Sequence, residues 1–582
     1  MKANTAFDDL AQAIASTICD DFTEYNAEFR AITRRARTRF ETRDWKGSQR
    51  DAVERIELYD IIVRRSTLEL KLRLGHLCKN KILWNKTKAA YLERVKQFPD
   101  SDFYKTFFGS IARGIFETIG IDRDVESLAV DFEPAIRGSG ALQAEAYIYR
   151  NSKQDLMRRI LTDFAFSVPY RDIDADIDFI TGEVKEFRRR NHFTAMIERV
   201  EIIRPVFHQL TRAYLVGRAI AKDITLPFII SLQNTQQEIS VDAVMMTQNE
   251  AGILFSFTRS YFHVDLERVS DAVEFLRSIM PGKSPGELYT VLGRAKQGKL
   301  VRYRNLLGHL KKSNDRFVHA PGDKGLVMVV FTLPSYDIVI KLIRDRFQPP
   351  KTASRQDVLD KYQLVFKHDR AGRLIDAQEF RYLSFDKDRF SEELLDELLQ
   401  ETAESIRLVG DQVILKHCYI ERRLTPLNLY LRQADPVAAQ KVIYDYGQAI
   451  RDLALSNIFP GDLLIKNFGV TRYGRVIFYD YDELCMVTDC NFREMPQPRT
   501  MEDEMRSETW FYVAENDVFP EQFISFLGFD KELECFFLEW HGEILTARYW
   551  RGLQSRHRMG QVLDVLPYHR YPVNPAWEPC RT

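Results

Sequence analysis

Near its C-terminal end, this 582-residue chain carries the stretch Asn457-Ile-Phe-Pro-Gly-Asp462-Leu-Leu-Ile-Lys-Asn467, which decides the fold. An Asp stands five residues before an Asn, and a run of β-forming residues then leads to Asp480-Tyr-Asp482-Glu483. Phosphoryl-transfer sites use this order: an Asp orients the attacking hydroxyl group, an Asn binds Mg²⁺, and a second Asp returns to the metal. The stretch therefore predicts a phosphoryl-transfer site.

The sequence around this motif argues against a chance match. Asp-x-x-x-x-Asn is common by chance, but here the apolar pattern of a helix precedes it and a β-branched and aromatic run follows it. Residues two apart in an extended segment share a face, so Asp480 and Asp482 can face one metal ion. We therefore expect Asp462 and Asp482 to be catalytic. Asn467 and Asp480 are the expected metal ligands.

A nucleotide site also needs a hairpin that covers the phosphates and a lysine on the following strand. Two extended runs within residues 317–333 flank a turn formed by Ala320, Pro321, Gly322, Asp323, Lys324, Gly325 and Leu326. Glycine lets backbone N–H groups approach phosphate oxygens closely. Lys341 lies in the apolar run 338–343, where a lone charge is costly unless it has a partner. A nucleotide phosphate or a carboxylate would be a suitable partner for Lys341. The alternative is that Lys341 lies on an edge strand and points to water.

Several segments carry a specific resemblance to a known family: Ala320-Pro-Gly-Asp-Lys-Gly-Leu326, Phe331-Thr-Leu-Pro-Ser-Tyr336, Tyr419-Ile-Glu-Arg-Arg423, Asn457-Ile-Phe-Pro-Gly-Asp462, Lys466-Asn-Phe-Gly-Val-Thr471 and Phe478-Tyr-Asp-Tyr-Asp-Glu483. Together they resemble the isocitrate dehydrogenase kinase/phosphatases, densely over residues 317–493 and more weakly elsewhere. The resemblance implies a bifunctional enzyme that phosphorylates a serine of isocitrate dehydrogenase, inactivating it, and removes that phosphate again. Such an enzyme controls carbon flow between the citric acid cycle and the glyoxylate bypass.

The same resemblance implies ATP, ADP and Mg²⁺ as cofactors, isocitrate dehydrogenase as the protein partner, and AMP as an effector that favours the phosphatase. We expect AMP to bind near the junction of the two halves of the chain, away from the ATP site. A further acid is carried over from the family. Asp376, in Gly372-Arg-Leu-Ile-Asp-Ala-Gln-Glu-Phe380, matches an active-site Asp. Two alternatives stay open: Asp376 is an acid at a helix end on the surface, or one of Asp376 and Glu379 pairs with Lys341 as the helix Glu does in kinases. The sequence does not choose between them.

The chain departs from ordinary eukaryotic-type kinases. It has no Gly-x-Gly-x-x-Gly loop, and Pro460-Gly461 stands where His-Arg would precede the catalytic Asp. Two other functions stay open: a kinase of the same fold that acts on a small hydroxylated molecule, and a nucleotide-sensing module without catalysis. The intact acids argue against the module, and the large helical half argues against the small-molecule kinase.

The predicted fold class is α+β, with a mainly helical regulatory domain at residues 1–313 and a bilobal, protein-kinase-like catalytic domain at 314–582. Apolar residues at steps of three and four predict an N-terminal helix, and the pattern continues at 50–74, 103–121 and 183–220. A strand pair is expected at 226–232 and 252–257. After the junction, strands come first and helices later.

Composition limits the partners and the compartment. The 83 basic and 84 acidic side chains nearly cancel, so no global field calls for nucleic acid. The seven cysteines show no Cys-x-x-Cys spacing, which fits a reducing compartment. No apolar run is long enough to span a bilayer. We therefore expect a cytoplasmic protein that binds neither nucleic acid nor membrane; whether it forms a homodimer is left open.

Overall fold

The computed structural model describes residues 2–118, 144–148, 152–256, 261–348, 351, 353–368, 370–496 and 511–568. Backbone contacts divide the chain into two compact units. The first unit consists of Met1–Asp315, Arg381–Lys387 and Leu408–Leu415. The second unit consists of Arg316–Phe380, Asp388–Arg407 and Lys416–Thr582. No helix among the described residues is both long and apolar enough to cross a lipid bilayer.

The first unit begins with long helices, as the sequence predicts. Its helices are α1 Lys2–Thr42, α2 Trp45–Leu74, α3 Lys81–Val95, α4 Ser101–Phe116, α5 Lys153–Thr162, α6 Ile173–Arg190, α7 Gln248–Leu254, α8 Val269–Ile279, α9 Pro285–Val291 and α10 Ala295–Lys312. The apolar stripe of α1 is confirmed, because Ile14, Ile18 and Phe22 are buried. The helix predicted at 103–121 is α4, and positions 119–121 lie outside the described residues.

One six-stranded sheet completes this unit. Its strands are β1 Ala144–Ile148, β2 Arg199–Ile203, β3 Phe207–Gln209, β4 Arg212–Ala221, β5 Ile224–Thr235 and β6 Glu238–Met245. Their order is β1-β2-β4-β5-β6, with β3 paired to β4, and the pairs are antiparallel. Leu215 lies opposite Ile230, and both are fully buried. The sheet therefore packs a core of its own beside the helices.

Two predictions for the first unit are wrong. The helix expected over 183–220 ends at Arg190, and β2, β3 and most of β4 occupy the rest. Buried strands carry apolar residues without strict alternation, so periodicity does not separate them from buried helices. The strand expected at 252–257 is also wrong, because residues 252–254 form the end of α7 and residues 255–256 form a turn. Position 257 lies outside the described residues. A capping box of Thr247 and Glu250 starts this helix.

Along the chain after residue 315, longer strands come first and most helices follow, as predicted, although short strands also come after residue 455. Residues 381–387 and 408–415 of this part belong to the first unit. The strands are β7 Val318–His319, β8 Met328–Leu333, β9 Tyr336–Ile343, β10 Gln378–Asp386, β11 Ile406–Val409, β12 Gln412–Arg422, β13 Thr425–Pro426, β14 Ile458–Phe459, β15 Phe468–Val470, β16 Val476–Phe478, β17 Cys485–Met486, β18 Asn491–Phe492 and β19 Asp517–Val518. The helices are α11 Arg355–His368, α12 Glu392–Glu401, α13 Leu427–Leu431, α14 Pro436–Leu455, α15 Phe523–Leu527, α16 Lys531–His541 and α17 Ala547–Arg558. The larger sheet has the order β10-β12-β9-β8-β7, and β13, β15 and β16 form a smaller one.

Arg373 is a fully buried cation that joins α14 to the small sheet. Its Nε donates to Asp452 Oδ2 at 2.7 Å, and its Nη1 and Nη2 donate to Asp445 at 2.6 and 2.8 Å. The two acids are seven residues apart on α14, which places them on one face. Nη1 also donates to the carbonyl of Val476 at 3.0 Å, and Arg373 O accepts from Phe478 N at 2.7 Å. The side chain and the backbone carbonyl of Arg373 therefore hold the first and the last residue of β16.

We expect Asp452→Ala to destabilise the second unit by about 3–5 kcal/mol, because removing one partner leaves buried charge uncompensated. Hydrogen exchange of α14 peptides of the full chain in rising urea would measure the loss. Glu543→Gln is the control, since Glu543 forms a half-exposed pair with Arg451 and should cost no more than about 1 kcal/mol. Equal effects of the two variants would show that Arg373 does not organise this unit.

The same network gives a pH dependence. Burial alone would raise the pKa of Asp445, but the charge and hydrogen bonds of Arg373 outweigh it and hold the pKa below the usual value. A carboxylate whose pKa is depressed on folding stabilises the fold above its unfolded pKa. This contribution should therefore be present at neutral pH and disappear as the pH falls below about 4.

Candidate active site

Asp462 lies in a tight loop between β14 and a short turn at 465–467. Gly461 has a φ of 80°, and a Cβ atom at this position would lie 2.5 Å from the carbonyl oxygen of Glu483. Only glycine permits this approach of the loop to the acidic turn. Burial raises the pKa of Asp462; the hydrogen bond from Leu464 N opposes this shift and the Glu483 carboxylate adds to it. A half-buried carboxylate with a raised pKa is suited to accept a proton.

Asp480 and Asp482 follow β16, and their carboxyl groups hydrogen bond to each other. Tyr481 between them is buried and donates its hydroxyl to the carbonyl of Ile375 at 2.6 Å. The extended segment predicted for these residues does not continue this far, since β16 ends at Phe478 and a turn begins at Asp482, yet the two carboxyl groups still meet. Burial, reinforced by the neighbouring Asp482 carboxylate, raises the pKa of Asp480 well above its usual range. Two carboxyl groups in contact need either a proton or a cation between them.

Lys351 supplies one such charge, and sequence reasoning missed it. Its Nζ lies 2.8 Å from Asp482 Oδ2 and 2.5 Å from Glu483 Oε1. Burial opposes the ionised form of Asp482, but the hydrogen bonds from Asp480 and Lys351 outweigh it and lower the pKa of Asp482. Lys351 carries no motif and lies far from the acids in sequence, so no local pattern indicates it.

Asn467 lies beside the acidic turn. Its carbonyl accepts from Tyr479 N at 3.1 Å, so the backbone holds Asn467 next to the residue that precedes Asp480. Among the described ranges, no three His, Cys, Asp or Glu side chains cluster in a way that would hold a metal ion. The oxygen donors that we expect for a metal here are the two carboxyl groups of the turn and the side-chain amide of Asn467. These hard oxygen ligands fit Mg²⁺, which keeps several water molecules.

Lys341 has a buried carboxylate partner. It lies on β9, which pairs with both β8 and β12, so it is not an edge-strand lysine. Its Nζ lies 2.9 Å from Glu421 Oε2 and donates to the carbonyl of Tyr479 at 2.8 Å. The Lys341 and Glu421 side chains are 7% and 1% exposed, so the ion pair is shielded from water. Glu421 comes from β12, within one of the segments that carry the family resemblance.

The two acids that the sequence offered as partners of Lys341 bond elsewhere. Asp376 accepts from Gln378 Nε2 at 2.7 Å, and Glu379 lies 3.2 Å from His417 Nε2. A backbone hydrogen bond nevertheless links the residue before Asp376 to the strand that precedes the acidic turn. Ile375 N donates to the carbonyl of Phe478 at 3.1 Å, two residues before Asp480. This backbone hydrogen bond brings the segment that carries Asp376 next to the strand that leads into the acidic turn.

The predicted phosphate-covering turn, residues 320–326, connects β7 to β8. Ala320 N donates to Val330 O at 3.0 Å, and Gly322 has a φ of 123°. A Cβ atom at Gly325 would lie 2.7 Å from a backbone oxygen, so this position also requires glycine. Lys324 pairs with Glu397 on α12 at 2.9 Å. The backbone N–H groups of the turn, rather than this lysine, are therefore the expected phosphate contacts.

Comparison with known proteins decides the family. The model of the isocitrate dehydrogenase kinase/phosphatase (AceK) kinase domain matches residues 315–570, and that of the AceK regulatory domain matches residues 15–314. The isocitrate dehydrogenase kinase/phosphatase of Anaeromyxobacter sp. (strain Fw109-5) is 46% identical over 96% of this chain and 97% of its own length. That of Xanthomonas euvesicatoria pv. vesicatoria (strain 85-10) is 45% identical over 96% of both chains. The chain belongs to the isocitrate dehydrogenase kinase/phosphatase family.

Family membership confirms the resemblance predicted from the sequence. The site described above lies within the residues matched by the family's kinase domain. A kinase domain implies ATP as the phosphoryl donor. In most protein kinases a helix supplies the Glu that pairs with the strand lysine, and movement of that helix controls the pair. In this family member a neighbouring strand supplies it, so the pair forms within the sheet itself.

We expect Glu421→Gln to lower kcat/KM for ATP by roughly 10–100-fold, the effect of losing a charge-assisted hydrogen bond worth about 1.5–3 kcal/mol. The reason is that Lys341 loses the carboxylate that orients it. Initial rates at varied ATP concentration measure the effect. Glu379→Gln is the matched control and should change kcat/KM little. A large effect of the control with none at Glu421 would contradict this assignment.

Proposed function

We propose that this chain phosphorylates a serine of isocitrate dehydrogenase, which inactivates that enzyme, and removes the same phosphate again. The two reactions control carbon flow between the citric acid cycle and the glyoxylate bypass. The observation that carries this proposal is similarity over 96% of the chain to relatives named isocitrate dehydrogenase kinase/phosphatase. The order of Asp462, Asn467 and Asp480 in one unit supports it chemically, because each stands where phosphoryl transfer needs it.

In the kinase direction, Asp462 orients the serine hydroxyl and accepts its proton. Lys341, held by Glu421, contacts the nucleotide phosphates, and the N–H groups of residues 320–326 cover them. Asn467 and Asp480 would hold Mg²⁺, and the bound ion would supply positive charge for the phosphates. Asp376 is the acid that the family resemblance assigns to the active site. Its backbone link to Phe478 supports a role beside these acids.

In the phosphatase direction, the same site transfers the phosphoryl group of the modified serine to bound ADP, which gives ATP, or to water, which gives inorganic phosphate; the serine hydroxyl group is restored in both cases. The contact between Asp480 and Asp482 supports a shared site, because both carboxyl groups can orient metal and water. Asp482 is our candidate for favouring hydrolysis, since ordinary kinases have no acid at that place. Although burial opposes ionisation, hydrogen bonds from Asp480 and from Lys351 favour the ionised form of Asp482 and lower its pKa.

We assign regulation to residues 1–313 and catalysis to residues 314–582. AMP is the proposed effector and binds outside the ATP site. Equilibrium competition tests this: a saturating ATP analogue that displaces all AMP one for one would exclude a separate site. The cytoplasm is the proposed compartment. A homodimer is a possibility that the sequence leaves open. Analytical ultracentrifugation of the full chain would measure the oligomeric state.

Incubation with ATP, Mg²⁺ and isocitrate dehydrogenase tests the function directly. We expect the wild type to phosphorylate the dehydrogenase and Asp462→Ala to do so roughly 10²–10⁴-fold more slowly, because the base is lost. ATP should still bind, as an ATP-analogue titration would show. Glu532→Ala, an exposed acid on α16, is the control. Near-normal phosphorylation by Asp462→Ala would remove this residue from its proposed role.

Asp480→Ala and Asp482→Ala should separate the two reactions. We expect Asp480→Ala to lose both, because it holds the metal for both, and Asp482→Ala to lose phosphatase activity more than kinase activity. The measurement compares phosphate release from phosphorylated isocitrate dehydrogenase, with ADP or ATP present, against the forward rate. If Asp480→Ala lost its kinase activity yet released phosphate at the wild-type rate, the two reactions would not share a site.

A further inference from the structure

Cys485 and Cys490 bring their Sγ atoms to 3.5 Å from each other. Cys485 lies on β17, and Cys490 follows the short turn Val487–Asp489. A disulfide needs about 2.05 Å between the sulfur atoms, so a movement of about 1.5 Å would join them. No part of the proposed reaction uses either thiol.

The two thiols differ in a way that suits an attacking and a resolving cysteine. Cys485 is partly exposed, whereas Cys490 is 7% exposed. The hydrogen bond from the Cys490 thiol lowers the pKa of Cys485, while the same bond and burial raise the pKa of Cys490. Burial also raises the pKa of Cys19 and of Cys78 in the first unit. Because the thiolate is the nucleophile, Cys485 is the cysteine of this pair that reacts first.

The segment between the two thiols holds the catalytic loop in place. Val487 N donates to Asn457 O at 3.0 Å, and Thr488 N donates to Asn457 Oδ1 at 3.1 Å. Asn457 has a φ of 63°, a left-handed conformation that a non-glycine residue keeps only when its surroundings hold it. Five residues later comes Asp462. A change in the Cys485–Cys490 segment therefore acts on the loop through these two hydrogen bonds.

We propose that Cys485 and Cys490 form a modification site at which a peroxide makes a reversible disulfide that slows phosphoryl transfer. The Cys485 thiolate attacks one peroxide oxygen, which breaks the O–O bond and gives a sulfenic acid and water once the leaving oxygen takes a proton. The Cys490 sulfur then attacks the Cys485 sulfur, forming the S–S bond and releasing a second water. Overall, two thiols lose two electrons and two protons, and hydrogen peroxide becomes two water molecules. A dithiol reverses the step by exchange.

The covalent part is tested without any activity assay. Trypsin leaves both cysteines in one peptide, residues 476–493, because no Lys or Arg lies between Arg475 and Arg493. After hydrogen peroxide treatment of the reduced full chain, this peptide should be two hydrogens lighter, resist alkylation at both positions, and recover with dithiothreitol. In Cys490→Ser, a dimedone probe should label Cys485; in Cys485→Ser, it should leave Cys490 unlabelled. A peptide that still takes two alkyl groups after peroxide treatment would overturn the site.

The effect of the disulfide on phosphoryl transfer rests on the proposed function, because it is measured as the rate at which the protein phosphorylates isocitrate dehydrogenase. Peroxide should reduce the wild-type rate at least about tenfold, because misplacing a catalytic group by about 1 Å can cost 10²-fold. Cys485→Ser and Cys490→Ala should keep the untreated rate and lose the sensitivity. Cys535→Ser, at a partly exposed cysteine on α16, should stay sensitive.

Different failures have different readouts. Equal peroxide sensitivity in Cys485→Ser and wild type would overturn the regulatory role, as would an unchanged wild-type rate in protein whose peptide shows the disulfide. If the untreated wild type phosphorylates nothing, the proposed function fails while the peptide measurement still decides the disulfide. Circular dichroism of each variant confirms that it is folded before rates are compared.

Discussion

The buried guanidinium of Arg373 is the interaction on which the rest of the second unit depends. Burying a charge completely costs a large desolvation free energy unless oppositely charged groups form hydrogen bonds with it. Asp445 and Asp452 meet this requirement from one face of α14, and the backbone of Arg373 bonds to Phe478. Three residues after Arg373 comes Asp376, and two residues after Phe478 comes Asp480. Satisfying one cation therefore positions acids from two separate parts of the chain.

Around these acids, the two lysines Lys341 and Lys351 face four carboxyl groups. Lys341 pairs with Glu421, and Lys351 pairs with Asp482 and Glu483. Asp480 is left to share a hydrogen bond with Asp482, and burial raises its pKa. These four carboxyl groups exceed the two lysines by two, which suits a divalent cation.

The origin of the Lys341 partner has a mechanical consequence. Lys341 and Glu421 lie on neighbouring antiparallel strands, β9 and β12, whose register places Tyr419 opposite Lys341. Both partners of the ion pair therefore belong to the same sheet, and no helix supplies either of them. Control of such an enzyme would act on other parts of the site. The catalytic loop is one of them, because it depends on Asn457 and on the hydrogen bonds that hold its left-handed backbone.

The sequence by itself determined the parts whose signal is local. The order of Asp462, Asn467 and Asp480, the turn at 320–326 and the helix α1 follow from spacing, glycine content and periodicity along a few residues. The family resemblance came from the same local segments. Only the tertiary structure decided which distant residues meet: Glu421 rather than Glu379 beside Lys341, Lys351 beside Asp482, and Cys485 beside Cys490. It also decided that residues 199–221 form strands, because apolar runs suit a buried helix or a buried strand equally until a neighbouring strand supplies hydrogen bonds. The physical reason is the same in each case. Charges and strands pair with residues that are close in space but distant in sequence, and a local stretch of sequence contains only one partner of each pair.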